Sequence, residues 1–326
     1  MSTQSTPPSF SLTKLPIVCL LAGICCALWG SAFPCVKIGY MLFSVDTAHV
    51  PSILLFAGMR FFLAGVLAVL IGSAAARRPL LPRSRRTWRH IAHLSLLQTI
   101  LQYIFFYIGL AHTTGVKGSI IGASNAFAAL LIAALLFRQE TLTGRKLLGC
   151  VLGFAGVVLV NLGQGGLGGA FQITGEGFVF LSSVSYAFSS VFLKRYSAED
   201  DPVLLSGWQF LLGGVVMMAV GFAWGGRVGP LAPAAGLMLL YLACISAVAY
   251  SLWGVLLKYN PVSRVTVFSF MTPVFGAALS ALLLREGAQL LGRSTLAALA
   301  LVCAGIWAVN TAPKENLSSG GNEHDQ

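Results

Sequence analysis

Negative charge is what this sequence has least of. Ten aspartates and glutamates stand against 21 lysines and arginines in 326 residues, and charged residues of both signs make up only 10%. A soluble domain carries about 25% charged residues, so a surface this poor in charge cannot face water on every side. Cysteine offers no framework either. All seven (Cys19, Cys25, Cys26, Cys35, Cys150, Cys244 and Cys303) fall inside apolar segments without disulfide or metal-ligand spacing, and they read as small packed hydrophobes. The glycine run Gly163–Gly169 is followed by no Gly-Lys-Ser/Thr, so it is a flexible linker rather than a phosphate loop. No ATP-binding motif is present, and no cofactor is expected.

What fills the chain instead is apolar sequence, 56% of all residues, with a mean hydropathy of +0.82. Long stretches such as 53–73 and 147–162 hold almost no charge. A helix that crosses a bilayer needs about 20 mostly apolar residues, and such stretches recur along the whole chain. They predict an all-α membrane protein with ten transmembrane helices, near 16–40, 51–73, 90–111, 115–137, 145–162, 174–194, 202–224, 234–257, 261–284 and 290–311. Most connections are short; 74–89, 163–169 and 225–233 are longer. Leu15 to Tyr40 is too long for a removable signal peptide and lacks a small-residue cleavage site.

The formal charge of +11 would suit nucleic acid in a soluble protein. Here the basic residues sit in short loops between apolar segments, which marks membrane orientation, so nucleic acid is not an expected partner. With a cytoplasmic N-terminus, the inner side carries Lys14, Arg77, Arg78, Arg83, Arg85, Arg86, Arg89, Arg138, Arg145, Lys146, Lys194, Arg195, Lys258, Arg264 and Lys314. The outer side carries only Lys117, Arg227, Arg285 and Arg293. Both termini are therefore expected in the cytoplasm, with the protein in a cell membrane, as in a bacterial inner membrane.

The second half repeats the first. Gln139-Glu140 ends the fourth span as Arg285-Glu286 ends the ninth. Ala155-Gly156 through Asn161 matches Ala304-Gly305 through Asn310. Trp29-Gly30 precedes Lys37 at the spacing at which Tyr186-Ala187 precedes Lys194, and Arg60-Phe61 corresponds to Gln209-Phe210. Each half has an odd number of spans, so the halves insert upside down relative to each other, as in secondary transporters with a site at the midplane. The division is a cytoplasmic segment 1–15, a five-helix repeat 16–162, a Gly-rich linker 163–173, a second repeat 174–311 and a disordered tail 312–326.

These features resemble the drug/metabolite transporter superfamily, in its ten-helix EamA-type branch. The residues that carry the resemblance are Trp29-Gly30 and Lys37, Arg60-Phe61, Glu140, and Thr272-Pro273-Val274-Phe275 with Glu286, over essentially 16–311. The resemblance implies a multi-pass carrier of small solutes working by alternating access, often an exporter of amino acids or related metabolites. Two departures stand out. Phe127 occupies the place of Pro273 in the first repeat. The first span lacks the carboxylate on which small four-helix multidrug relatives rely, which counts against multidrug–proton antiport.

An ionisable residue deep in a span costs about 2.5–3.5 kcal/mol on insertion scales and needs a reason. Arg60 is such a residue, and no acidic residue shares its depth. It is either a structural tie or an anchor for a carboxylate or phosphate. Gln98 and Gln102 lie four apart on the third span, and Ser182, Ser185 and Ser189 form a stripe beside Tyr186 on the sixth. Such groups serve either as interhelix glue or as the lining of a cavity. Trp29, Asn125, Ser185, Tyr250 and Ser269 are expected at the depth of Arg60 and Gln102, with Trp29, Tyr103, Tyr107, Tyr250 and Trp253 lining the same cavity. Lys37, Lys117 and Lys194 sit near span ends and read as interface anchors. Gly149 and Gly153 form a small-residue packing face, and Pro34 and Pro273 each remove a helix donor. His90 and His93 stand without a carboxylate or metal partner, so an embedded enzyme is disfavoured. A channel lacks a filter sequence. The expected partners are a small-molecule substrate and membrane lipids, for a monomer or homodimer. A drug or nucleotide/sugar-type carrier of the same fold is the alternative.

Overall fold

The computed structural model describes residues 12–113, 118, 121–162, 172–283 and 293–311. Lys117, Gly163–Gly169, Arg285-Glu286 and the tail 312–326 lie outside the described residues. Those described form helices and no strand.

The helical segments are α1 (Leu15–Leu42), α2 (Val50–Ala76), α3 (Arg85–Leu94, Ser95–Leu101 and Gln102–Ala111), α4 (Asn125–Leu131 and Ile132–Leu136) and α5 (Gly144–Leu162). They continue as α6 (Ile173–Gly177 and Phe178–Tyr196), α7 (Pro202–Ala223), α8 (Pro233–Tyr259), α9 (Val262–Thr266, Val267–Phe270 and Met271–Leu283) and α10 (Arg293–Asn310). Among the described residues, six stretches are long and apolar enough to cross a membrane: Leu15–Leu42, Val50–Ala76, Arg85–Gly109, Ile173–Tyr196, Pro202–Ala223 and Pro233–Tyr259. Asn125–Leu136 and Leu296–Asn310 are shorter apolar helices.

Local chemistry sets the ends. Proline stands in the first turn of α1, α2, α7 and α8, where its missing N–H costs nothing. Asp201 Oδ1 accepts from Val203 N and Leu204 N at 2.8 and 3.2 Å and so caps α7. Ser84 Oγ accepts from Thr87 N at 2.9 Å and starts α3 earlier than the apolar run suggests. Arg85, Arg86 and Arg89 thus lie on helix rather than in the preceding loop. α1 runs through Pro34 as one helix, while the 3-10 turn Val267–Phe270 precedes Pro273 in α9. Seven residues of α3, Ser95–Leu101, are wound as π-helix.

α2 packs on α7, and α5 on α10. These crossings are close because glycines meet backbone. A Cβ on Gly214 would stand 2.4 Å from Phe62 N, and one on Gly305 would stand 2.5 Å from Gly149 O. α1 packs on α8 and α9, α6 on α3 and α4, α2 on α8, and α7 on α3. Exchanging α1–α5 with α6–α10 turns each of these pairs into another pair of the set. Two buried apolar clusters result, and Trp29 packs against both.

Candidate functional site

Arg60 is the one charged residue of α2, and it is 5% exposed. Its Nε and Nη2 donate to Ser246 Oγ on α8 at 3.2 and 2.9 Å, and Ser246 Oγ donates in turn to Leu242 O at 3.2 Å. A guanidinium has five N–H donors in a planar fork, so one hydroxyl leaves most of its hydrogen-bonding capacity unused. Among the described residues, no carboxylate lies within 4.0 Å of it.

Aromatic rings surround this charge. The Arg60 Cζ lies 5.2 Å from the Phe61 ring, which stacks on Phe210 at 5.2 Å and tilts against Tyr103 at 4.4 Å. Tyr103 and Tyr250 share a 2.9 Å hydroxyl hydrogen bond. Tyr250 meets Phe210 edge-on at 4.9 Å and Trp29 at 5.1 Å, and Trp29 meets Trp253 at 4.9 Å. Helices α1, α2, α3, α7 and α8 all contribute, so the cage is built from both halves. Buried polar atoms around it lack a partner among the described residues: the indole N–H groups of Trp29 and Trp253, Gln102 Oε1 and the Tyr186 hydroxyl.

The repeat gives a control for Arg60. Its mate Gln209 is fully buried on α7, where its Oε1 accepts from Thr99 Oγ1 of α3 at 2.6 Å. Arg60–Ser246 links α2 to α8, and Gln209–Thr99 links α7 to α3. The exchange of halves interconverts these two helix pairs. An amide is therefore enough for the tie, and the positive charge at Arg60 exceeds what that tie requires.

The other expected lining residues are placed in three ways. Tyr186 is buried in the same apolar cluster as Tyr107 and Tyr250, whereas Trp253 is wholly buried in the other cluster and reaches the cage through Trp29. Gln98 is buried in the π-helical turn of α3 with its Nε2 unpartnered. Ser185 donates to Leu97 O at 2.6 Å and Ser189 to Tyr186 O at 2.7 Å, so these hydroxyls are engaged with backbone. Ser269 donates to Asn125 Oδ1 at 2.9 Å, a separate link between α9 and α4.

Two expectations fail. His90 does have a carboxylate partner: its Nδ1 lies 2.7 Å from Asp200 Oδ2, and Thr87 donates to the other oxygen at 2.8 Å. His90 also stacks at 3.9 Å on Tyr196, whose hydroxyl meets His93 Nδ1 at 2.7 Å. Lys194, expected as a free anchor at its span end, is engaged with backbone instead. Its Nζ donates to Leu257 O at 3.1 Å and to Asn260 O, the last carbonyls of α8. Lys37, by contrast, is exposed.

Sequence reasoning missed Ser246, Thr99 and Asp200, and noted Phe210 only as a repeat position. Ser246 precedes Tyr250 by one turn on an apolar helix, which was an available signal. Asp200 sits in a turn, and nothing in its spacing points to His90. Glu140, noted only as a motif residue, accepts from Ser263 N at 2.9 Å and Lys146 Nζ at 2.9 Å, and also from Ser263 Oγ, so it caps α9.

Residues 16–162 and 173–311 match the EamA-like transporter family. An uncharacterised transporter of Bacillus subtilis (strain 168) is 27% identical over 300 residues, 90% of this chain and 92% of its own length. A probable amino-acid metabolite efflux pump of Escherichia coli (strain K12) is 26% identical over 288 residues, 84% of this chain and 90% of its own. A crystal structure 17% identical to the chain superposes with a TM-score of 0.72, covering 90% of this chain and 96% of that one. It shares the fold. Together with the apolar helices, these likenesses make the molecule a multi-pass, all-helical membrane protein.

Proposed function

The chain belongs to the EamA-like transporter family, and on that premise we propose that it is a secondary carrier that exports small metabolites by alternating access. It works in a cell membrane with both termini in the cytoplasm. The repeats 16–162 and 174–311, joined by the linker 163–173, rock against each other around the Arg60 cage. The cage takes groups from both halves of one chain and so needs no second copy. The relative named as an amino-acid metabolite efflux pump supports small organic solutes and the outward direction.

One observation carries this reading: a guanidinium buried between the halves, without a carboxylate, whose repeat mate does the same helix-tying work as a neutral amide. A charge retained at such a cost is best explained by a bound anionic group. The buried state of Arg60 also means that substrate enters only when one half moves, as alternating access requires.

The test uses the full chain in proteoliposomes loaded with a cell metabolite extract, with released solutes read by mass spectrometry. Wild type should release a small set of solutes, and Arg60→Lys should release them about ten- to a hundredfold more slowly. That range corresponds to a lost bidentate contact to a charged group of about 1.5–3 kcal/mol. Folded yield should be unchanged. An Arg60→Lys profile equal to wild type would sink the assignment of the site.

A further inference from the structure

The Arg60 cage is unbalanced in both charge and hydrogen bonding, and the imbalance bears on substrate class. Resting on the carrier reading above, we propose that the cage selects monoanionic organic carboxylates with a planar aromatic or apolar body, and discriminates against zwitterions and cations of the same shape.

The first argument is charge. Six carboxylates are described, and each is engaged at a helix end or in a turn. Glu140 holds Lys146 and Ser263, and Asp200 holds His90 and Thr87. Asp201 caps α7, Asp46 accepts from Ala48 N, Glu199 pairs with Arg86, and Glu176 accepts from Thr113 and Gln172 N. None is left to receive a substrate ammonium. An ammonium brought into the cage would also meet the Arg60 charge at low local dielectric, where repulsion is strong. A dianion fails for the complementary reason. Of the described lysines that are buried or half-buried, Lys146 is held by Glu140, Lys194 by carbonyls at the end of α8, and Lys258 lies over Tyr259 in the last turn of α8, so one cation would face two negative charges. One negative charge balances the site.

The second argument is the hydrogen-bond inventory. Among the described residues the free groups are mainly donors: the remaining Arg60 N–H groups and the indole N–H groups of Trp29 and Trp253, against Gln102 Oε1 as acceptor and the Tyr186 hydroxyl, which can serve either way. A carboxylate supplies about four acceptor sites and no donor. An ammonium supplies three donors to a cage already rich in them. The third argument is shape. Trp29, Phe61, Tyr103, Phe210 and Tyr250 pack on one another offset, tilted or edge-on, and a flat apolar body admitted when the halves move would meet the same rings in the same geometries.

Four probes with a common phenyl body separate these terms: 3-phenylpropionate (monoanion), phenylalanine (zwitterion), phenethylamine (cation) and phenyl phosphate (dianion). Binding to the full chain in lipid nanodiscs is read at neutral pH by quenching of tryptophan fluorescence and by ligand-induced rise in melting temperature. 3-Phenylpropionate should bind at least tenfold more tightly than each of the other three. Arg60→Lys, checked for folding by size-exclusion profile, should weaken it about tenfold. Phenylalanine, phenethylamine or phenyl phosphate binding as tightly as 3-phenylpropionate would overturn the selectivity, as would the failure of all four to bind. The metabolite-release assay on Arg60→Lys judges the carrier reading separately, so the two can fail independently.

Discussion

Among the described residues, Ser246 is the only acceptor of the Arg60 side chain, through two of its N–H groups. Ser246→Ala leaves a buried guanidinium with no partner, at a cost of about 1–3 kcal/mol, more when the orphan is charged. The melting temperature in detergent should fall, and an anionic ligand should restore more of it than it adds to wild type, because the ligand replaces the lost acceptor. Equal ligand-induced shifts in both proteins would show that bound anion and Arg60 do not meet. Gln102→Ala removes a free acceptor of the cage and should raise the apparent KM several-fold with little change in kcat. Arg60 itself was legible in the sequence, because an arginine amid apolar residues is conspicuous. Its partner was not. The two are 186 positions apart, and no periodicity within one helix reports which hydroxyl on another helix will face it.

Helix existence was legible for a simple physical reason: the bilayer demands long apolar stretches, and most of those expected became helices within a few residues of their bounds, six of them long enough to cross, whereas the fourth is continuous helix only over Asn125–Leu136 among the described residues. Winding was not. The π-helical Ser95–Leu101 breaks the four-residue relation between Gln98 and Gln102, because a π turn is wider than an α turn. Side-chain identity carries little information about that choice, which tertiary contacts make. Glycine was legible as a packing signal, but its strictest use lies at the α2–α7 crossing rather than only on α5. There a Cβ on Gly58 would stand 2.6 Å from Met218 N, whereas one on Gly23 of α1 meets nothing within 4 Å. Gly58→Leu should therefore cost about 1–3 kcal/mol or more through overpacking and lower the folded yield and melting temperature. Gly23→Leu should leave both near wild type. Similar behaviour of the two variants would mean that α2 and α7 do not cross this closely.

At the scale of the molecule, hydrogen bonds between loops fix which connections share an end. Arg86 pairs with Glu199 at 2.5 Å and Thr87 donates to Asp200 at 2.8 Å, so the α2–α3 and α6–α7 connections lie together. Gly229 N donates to Phe43 O at 2.6 Å and Arg227 N to Ser52 Oγ at 2.9 Å, which puts the α1–α2 and α7–α8 connections at the opposite end. α2 and α7, which correspond in the repeat, thus run in opposite directions. That inversion was legible from an odd number of spans per half, whereas the side of the membrane follows only from charge. Arg77, Arg78, Arg83, Arg85, Arg86, Arg89, Lys194 and Arg195 all gather at the first end, and cationic loops stay in the cytoplasm. Single cysteines in a cysteine-free background test this, provided the sites tolerate a side chain. Gly229 does not, because a Cβ there would stand 2.8 Å from Phe43 O, and Ser84 is occupied in capping α3. Ala48, Leu81 and Ala198 are exposed. In sealed cells, a membrane-impermeant maleimide should label Ala48→Cys at once, and Leu81→Cys and Ala198→Cys only after permeabilisation. Leu81→Cys and Ala198→Cys should always behave alike, because the Arg86–Glu199 and Thr87–Asp200 contacts hold their loops together. Labelling of both from outside would invert the orientation while leaving the fold intact, and labelling of one without the other would break the fold itself.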